Sequence, residues 1–112
     1  MPQRTILMSI RPKHANKLLS EEKKFEFRRR VGKDIGKVVI YATAPIKKIV
    51  GEFTVEETIK LSPTELWEKC KDGAGIGKKL FDNYFVGAHH GYALKVKEIT
   101  KYKLPLSLYD LG

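Results

Sequence analysis

The chain has 112 residues, 42% of them hydrophobic, and a formal net charge of +9. That length supports one domain, residues 1–112, with one modest core. The longest apolar runs, such as Val38 to Ala42, fall far short of the roughly 20 residues a membrane-crossing helix needs, and the start Met1-Pro2-Gln3-Arg4 carries no secretory apolar region. The lone Cys70 can form no internal disulfide and has no cysteine neighbour for a zinc site, so a cytoplasmic protein without cofactor or metal is expected. Its apolar neighbours mark Cys70 as a core residue.

The charge excess is local. Between Arg11 and Lys37 ten cations face four anions, so that +6 of the total +9 falls in one helix-strand-turn unit. Clustered cations of this kind are the electrostatic footprint of a partner rich in phosphate, RNA or a nucleotide. Nothing in the sequence specifies a protein partner, and a monomer or weak dimer is expected.

In chain order, Thr5 to Arg11 reads as a first and central strand with Ile6, Met8 and Ile10 on one face. Pro12 suits the first turn of a helix whose apolar stripe is Ala15, Leu18 and Leu19, leaving Lys13 and Lys17 outward. His14, near the helix start, faces either a ligand cleft or solvent. Ser20 to Arg30 then organises the chain. If Lys24 to Arg30 is extended, Phe25 and Phe27 point to the core while Lys24, Glu26, Arg28 and Arg30 share the other face. One carboxylate among cations on a half-buried strand suits a polar ligand, with the basic groups donating and Glu26 accepting or acting as a base; a solvated charged face is the alternative.

Val31 to Lys37, with two glycines, is a basic loop able to clamp phosphate, and Val38 to Ala42 is a strand apolar on both faces. Tyr41 has two readings, a platform for an unstacked base or a core residue with a bonded hydroxyl. After the break at Pro45, Ile49 to Glu57 forms a strand in which Gly51 predicts a bulge or a close backbone contact. Glu56 and Glu57, at its end, either approach the cationic cleft or pair with lysines. Ser62-Pro63-Thr64-Glu65 is a helix start with a capping box, followed by Leu66, Trp67 and Cys70 inward. Asp72 to Lys79 is glycine-rich, but its spacing and the helix before it do not fit a phosphate loop, so a flexible link is expected. A third helix near 77 to 85 carries Leu80, Phe81, Tyr84 and Phe85 as its apolar stripe. His89 and His90 lack a third ligand and point apart if extended. Tyr92, Leu94 and Val96 then alternate along a last strand, with Pro105 marking an edge or bend.

Lys23-x-x-Glu26-x-Arg28, arriving just after a helix, resembles the Gly-x-Lys-x-x-Glu-x-Arg motif of the ASCH (activating-signal-cointegrator homology) domains, relatives of the PUA RNA-binding fold. The order of strand, helix, motif strand, two strands, helical insert and final strand is similar to that family over nearly the whole chain. The motif's glycine falls on Glu21, which must take an ordinary backbone conformation or sit in a turn built differently. The resemblance implies an α+β, PUA-like small β-barrel of about five or six strands with two or three flanking helices. It also implies a cleft between the first helix and the strand carrying Glu26. Lys23 must lie in the preceding turn to join Glu26 and Arg28 there, because strand alternation would point it away.

From these residues the nucleic-acid-binding set is Arg11, Lys13, Lys17, Lys23, Lys24, Glu26, Arg28, Arg30 and Tyr41, with Lys23 and Glu26 the catalytic pair if the protein is an enzyme. The expected function is binding of single-stranded RNA or a modified nucleotide in a basic cleft. Two alternatives remain, an RNA-processing hydrolase acting as ribonuclease or acetylated-cytidine amidohydrolase, and a transcription coregulator module. Members that deacetylate acetylated cytidine look to carry a threonine nucleophile where this chain has Glu26, so that chemistry here requires Glu26 to act as a base on water.

Overall fold

The computed structural model describes residues 3–111; Met1, Pro2 and Gly112, with the chain start read above, lie outside the described residues. Five strands and three α-helices follow in the order β1 (Arg4–Ile10), α1 (Pro12–Leu19), β2 (Phe25–Arg28), β3 (Ile35–Ala42), β4 (Lys48–Leu61), α2 (Pro63–Cys70), α3 (Lys78–Tyr84) and β5 (Gly91–Leu106). The strands form one mixed sheet in the order β1-β3-β4-β5-β2, with only β1 and β3 parallel. A parallel neighbour needs a crossover, which the chain makes through α1 and β2.

β1 is therefore an edge strand, not the central one its apolar alternation suggested: Met8 and Ile10 are buried on one face while Leu7 stays half exposed on the other. The sheet curls without closing. Its two edges approach where Arg28 Nη2 on β2 donates to the Ser9 carbonyl on β1, at 2.8 Å. The result is a small-barrel-like α+β fold whose seam is bridged by a side chain. Curvature comes from irregular pairing, with register shifts between Ile40 and Tyr41 on β3 and between Ile49 and Gly51 on β4. At Gly51 a Cβ would collide with the Thr100 carbonyl and stand 2.7 Å from Leu19 Cδ2, the close approach that a strand glycine predicts.

Two apolar clusters divide the interior. One sets Ala15 and Leu18 of α1 against Val38, Ile40, Phe53 and Leu94. The other sets Leu66, Cys70, Phe81 and Phe85 against Phe27, Ile59 and Ala93. In it Phe27 meets Phe81 edge to face with centroids 5.1 Å apart, and Trp67 lies 5.1 Å from Phe81, so Trp67 serves the core. α2 starts at the expected cap: Ser62 Oγ accepts from the Glu65 amide at 3.3 Å and donates to Glu65 Oε1 at 2.9 Å. Cys70 is fully buried, and burial pushes its thiol up to about 11, which removes it from nucleophilic chemistry at neutral pH.

Candidate functional site

Strand alternation accounts for only one of two neighbouring residues on β2. Phe27 is buried, as a core face requires, but Glu26 on the other face is also buried, only 6% exposed. The charged face of β2 is thus the floor of a cavity. About 420 Å³ in volume, that cavity is walled by Ser9, Ile10, Arg11 and His14 from the β1–α1 junction, by Lys23, Glu26, Phe27 and Arg28 beneath, and by Ile76, Leu80, Asn83 and Tyr84 opposite.

The turn before β2 delivers Lys23. α1 ends as the amides of Ser20 and Glu21 donate to Asn16 O (2.9 Å) and Leu18 O (3.1 Å), and the Lys23 amide reaches back to Lys17 O at 3.0 Å. Glu21 occupies the left-handed region at φ 68°, so the turn keeps the shape a glycine would favour although the side chain is glutamate. Lys23 is consequently out of the strand, 2% exposed, with its ammonium 2.7 Å from the Ala74 carbonyl and 4.8 Å over the Phe27 ring. Burial pushes its pKa down to about 8 against the opposing pull of Glu26, and nearby Lys17 adds to the depression.

Glu26 Oε2 takes both Arg28 Nη2 (2.9 Å) and Arg28 Nε (3.2 Å), while Oε1 receives no protein donor among the described residues. Burial raises the Glu26 pKa, opposed by Arg28 and then Lys23. His14 is half-buried with Nδ1 enclosed and unpartnered. Its pKa is lowered, first by burial and then by Lys23, Lys17, Lys13 and Arg11, which keeps the imidazole neutral at physiological pH. The first turn of α1 carries no acid and no capping side chain, so its amide ends add positive potential near Arg11 and His14. The cavity therefore holds a weakened ammonium, a carboxylate with a free oxygen, a neutral imidazole and two guanidiniums, a set able to donate to phosphate, accept from an amino group and move a proton.

Of the sequence-predicted site residues, Arg11, Lys23, Glu26 and Arg28 come together at this cavity. Lys17 stands behind it, its ammonium 3.0 Å from Gly75 O. Lys13 is exposed and lies outside the lining. Lys24 turns away to the helical insert, its amide donating to Gly73 O at 2.7 Å. Arg30 lines a second cavity with Lys60 and His89, and half-buried Tyr41 on β3 reaches neither. Glu56 pairs with Lys95 at 2.9 Å and Glu57 is exposed, so neither enters the cleft.

Sequence reasoning missed the wall opposite. Leu80 and Tyr84, read as core, are 47% and 40% exposed and face the cavity with Asn83, while Phe81 and Phe85 alone fill the core. The signal was the width of the α3 apolar stripe, more than one buried face can hold. The expected flexible link instead contains a 3-10 turn at Lys71–Gly73 and, at Gly75, a left-handed residue packed on Lys23.

The geometry defines a class, an open small-barrel-like α+β protein with a buried lysine and glutamate and a half-buried arginine at the mouth between its first helix and motif strand. No family model matches the chain. It is similar to the ASCH domain-containing ribonuclease of Zymomonas mobilis, 27% identical over 94 residues that cover 82% of this chain and 64% of that protein. The crystal structure of ASCH from Zymomonas mobilis superposes with a TM-score of 0.87 at 26% identity, covering 94% of this chain and 74% of that one. The large ribosomal subunit protein uL22 of Ureaplasma parvum is 34% identical over 108 residues, which are 95% of this chain. The chain spans about a third of the length of that curated relative, 35%. The fold of this chain is that of the ASCH structures, small-barrel-like and PUA-like.

Proposed function

We propose that this protein binds single-stranded RNA and holds one unstacked nucleotide in the cavity above Glu26. The observation that carries the reading is the buried Glu26, paired with half-buried Arg28 and with Oε1 open to the cavity, beside a buried Lys23 and near Arg11. Arg28 and Arg11 meet phosphate or a base oxygen, and Glu26 Oε1 accepts from a base amino group. The pattern of one acceptor amid donors suits an unstacked base, which duplex RNA does not offer. The similar Zymomonas protein is named a ribonuclease, which agrees with an RNA ligand. The lone buried cysteine suits a cytoplasmic site of action.

A second reading, hydrolysis of the bound RNA or nucleoside, is favoured by one specific observation: burial moves Lys23 and Glu26 toward each other, the ammonium down to about 8 and the carboxyl up. Glu26 would then take a proton from water while Lys23 stabilises the developing anion.

Binding of a short single-stranded RNA should weaken steeply with salt and weaken further in Arg28→Ala, while a duplex of the same sequence binds poorly; a flat salt dependence refutes the RNA reading. Mass spectrometry of mixed RNA and of acetylated cytidine, with wild type beside Glu26→Gln, separates the two readings. A product made only by wild type establishes turnover through Glu26, and its absence with RNA still bound leaves a reader.

A further inference from the structure

A second cavity, about 340 Å³, opens beyond the end of β2, lined by Arg29, Arg30, Lys60, His89, His90 and Tyr92 among others and by no acidic side chain among the described residues. Its cations differ from the lysines that sit in ion pairs. Lys37, Lys71, Lys78 and Lys95 each hold a carboxylate within 2.9 Å, whereas Arg30 and Lys60 have no carboxylate partner among the described residues. Arg29 is committed to structure, its Nη1 donating to Tyr84 O at 2.9 Å and Val86 O at 3.0 Å. Three guanidinium or ammonium groups thus converge with no counter-charge, an arrangement that favours an anion from outside.

Sheet register connects this cavity to the first. Tyr92 on β5 stands opposite Lys60 of β4 on one side and opposite Arg28 of β2 on the other. Residues directly opposite across strands share a face, so Lys60, Tyr92 and Arg28 form one polar row. Arg28 ends that row inside the first cavity, and Lys60 ends it in the second, with its ammonium 5.8 Å over the Tyr92 ring. Across two strand spacings the row spans about 10 Å. The row thus joins the two cavities across the sheet.

We infer that the second cavity binds a backbone phosphate of the same RNA strand whose nucleotide enters the first, so that the ligand is an oligonucleotide rather than a free nucleoside. This rests on the nucleotide reading of the first cavity. Arg30 and Lys60 supply the charge, the imidazoles of His89 and His90 supply N–H donors, and the Tyr92 ring offers the strand an apolar crossing between them.

The test compares two probes, cytidine monophosphate and a single-stranded RNA hexamer of mixed sequence, on wild type, on the double variant Arg30→Ala/Lys60→Ala and on Arg28→Ala. Both altered residues of the double variant are exposed, and Arg29, which holds the chain, is untouched. The double variant should bind the hexamer about tenfold more weakly at about 0.05 M salt, with a log–log salt slope flatter by about 0.7 for each phosphate that is no longer neutralised. Its affinity for the mononucleotide should equal that of wild type. Unchanged hexamer affinity and slope, or an equal loss for both probes, overturns the inference. Arg28→Ala should weaken both probes; no effect on either overturns the nucleotide reading of the first cavity and the inference with it.

Discussion

Lys23→Met isolates the cost of burying an ammonium at the cavity floor. Lys23 has an ordinary pKa of 10.5 and a folded-state value of about 8, because its side chain is almost wholly enclosed by protein, with 2% of its surface exposed. Below pH 8 both the folded and unfolded chains carry the proton, and the folded chain bears the full burial cost. Between pH 8 and 10.5 the unfolded chain holds the proton while the folded chain releases it, so stability rises with pH through that window. The rise is about 2.5 kcal/mol by pH 10. Lys23→Met lacks this contribution. Urea unfolding of both proteins from about pH 6.5 to 10 should therefore show a stability difference that is flat to about pH 7.5 and then shifts by about 2.5 kcal/mol in favour of wild type. Tyr102, pushed up to about 12 chiefly by burial and by its bond to Glu52, is present in both proteins and cancels. Parallel curves across pH 8 to 10 would refute the claim that Lys23 is destabilised as a cation. Circular dichroism of Lys23→Met guards against a change of fold.

Two further substitutions probe the turn and the loop that hold Lys23. Glu21→Gly removes a side chain from a left-handed position, φ 68°, and should raise stability by about 1 kcal/mol and Tm by about 4 °C in a thermal melt, with no gain expected if the turn were built differently in solution. Gly75→Ala meets two penalties at once, φ +70° and a new Cβ 2.6 Å from Lys23 Cβ and Cγ, and should cost about 2 kcal/mol or more; a Tm equal to wild type would show that the loop moves aside freely.

The elements near the site differ in how far the sequence announced them, for physical reasons. Pro12 and the Ser62 capping box are local signals, and the helices begin at Pro12 and Pro63 as those signals require. Glu26 and Arg28 could be placed side by side from strand parity and the motif's spacing, which act over only a few residues, whereas Arg11 was marked only by the local excess of charge. β1 was misplaced at the centre of the sheet because its alternation reports one buried face and carries no information about how many neighbours the strand has. The α3 wall was missed because Leu80 and Tyr84 follow the same helical period as Phe81 and Phe85, and only packing decides which pair faces the core. Glu21 shows a third case. Its neighbours impose the left-handed turn despite the side chain, because the Lys23 amide is fixed to Lys17 O and the Lys24 backbone is fixed on both sides, its amide to Gly73 O and its carbonyl to the Val96 amide.

That last set of bonds has a consequence for how the site is controlled. The turn that presents Lys23 is tied to α1 through Lys17 O, to the helical insert through Gly73 O and to β5 through the Val96 amide. The insert closes over it, with Ala74 O receiving the Lys23 ammonium and Gly75 O the Lys17 ammonium. A carbonyl 51 positions away thus fixes the direction of Lys23, the lysine whose pKa burial lowers to about 8. Glu26 takes its support elsewhere, since its partner Arg28 lies on its own strand and is anchored to Ser9 across the seam. The pair at the cavity floor therefore differs in support: Glu26 is held through the sheet and Lys23 through the helical insert.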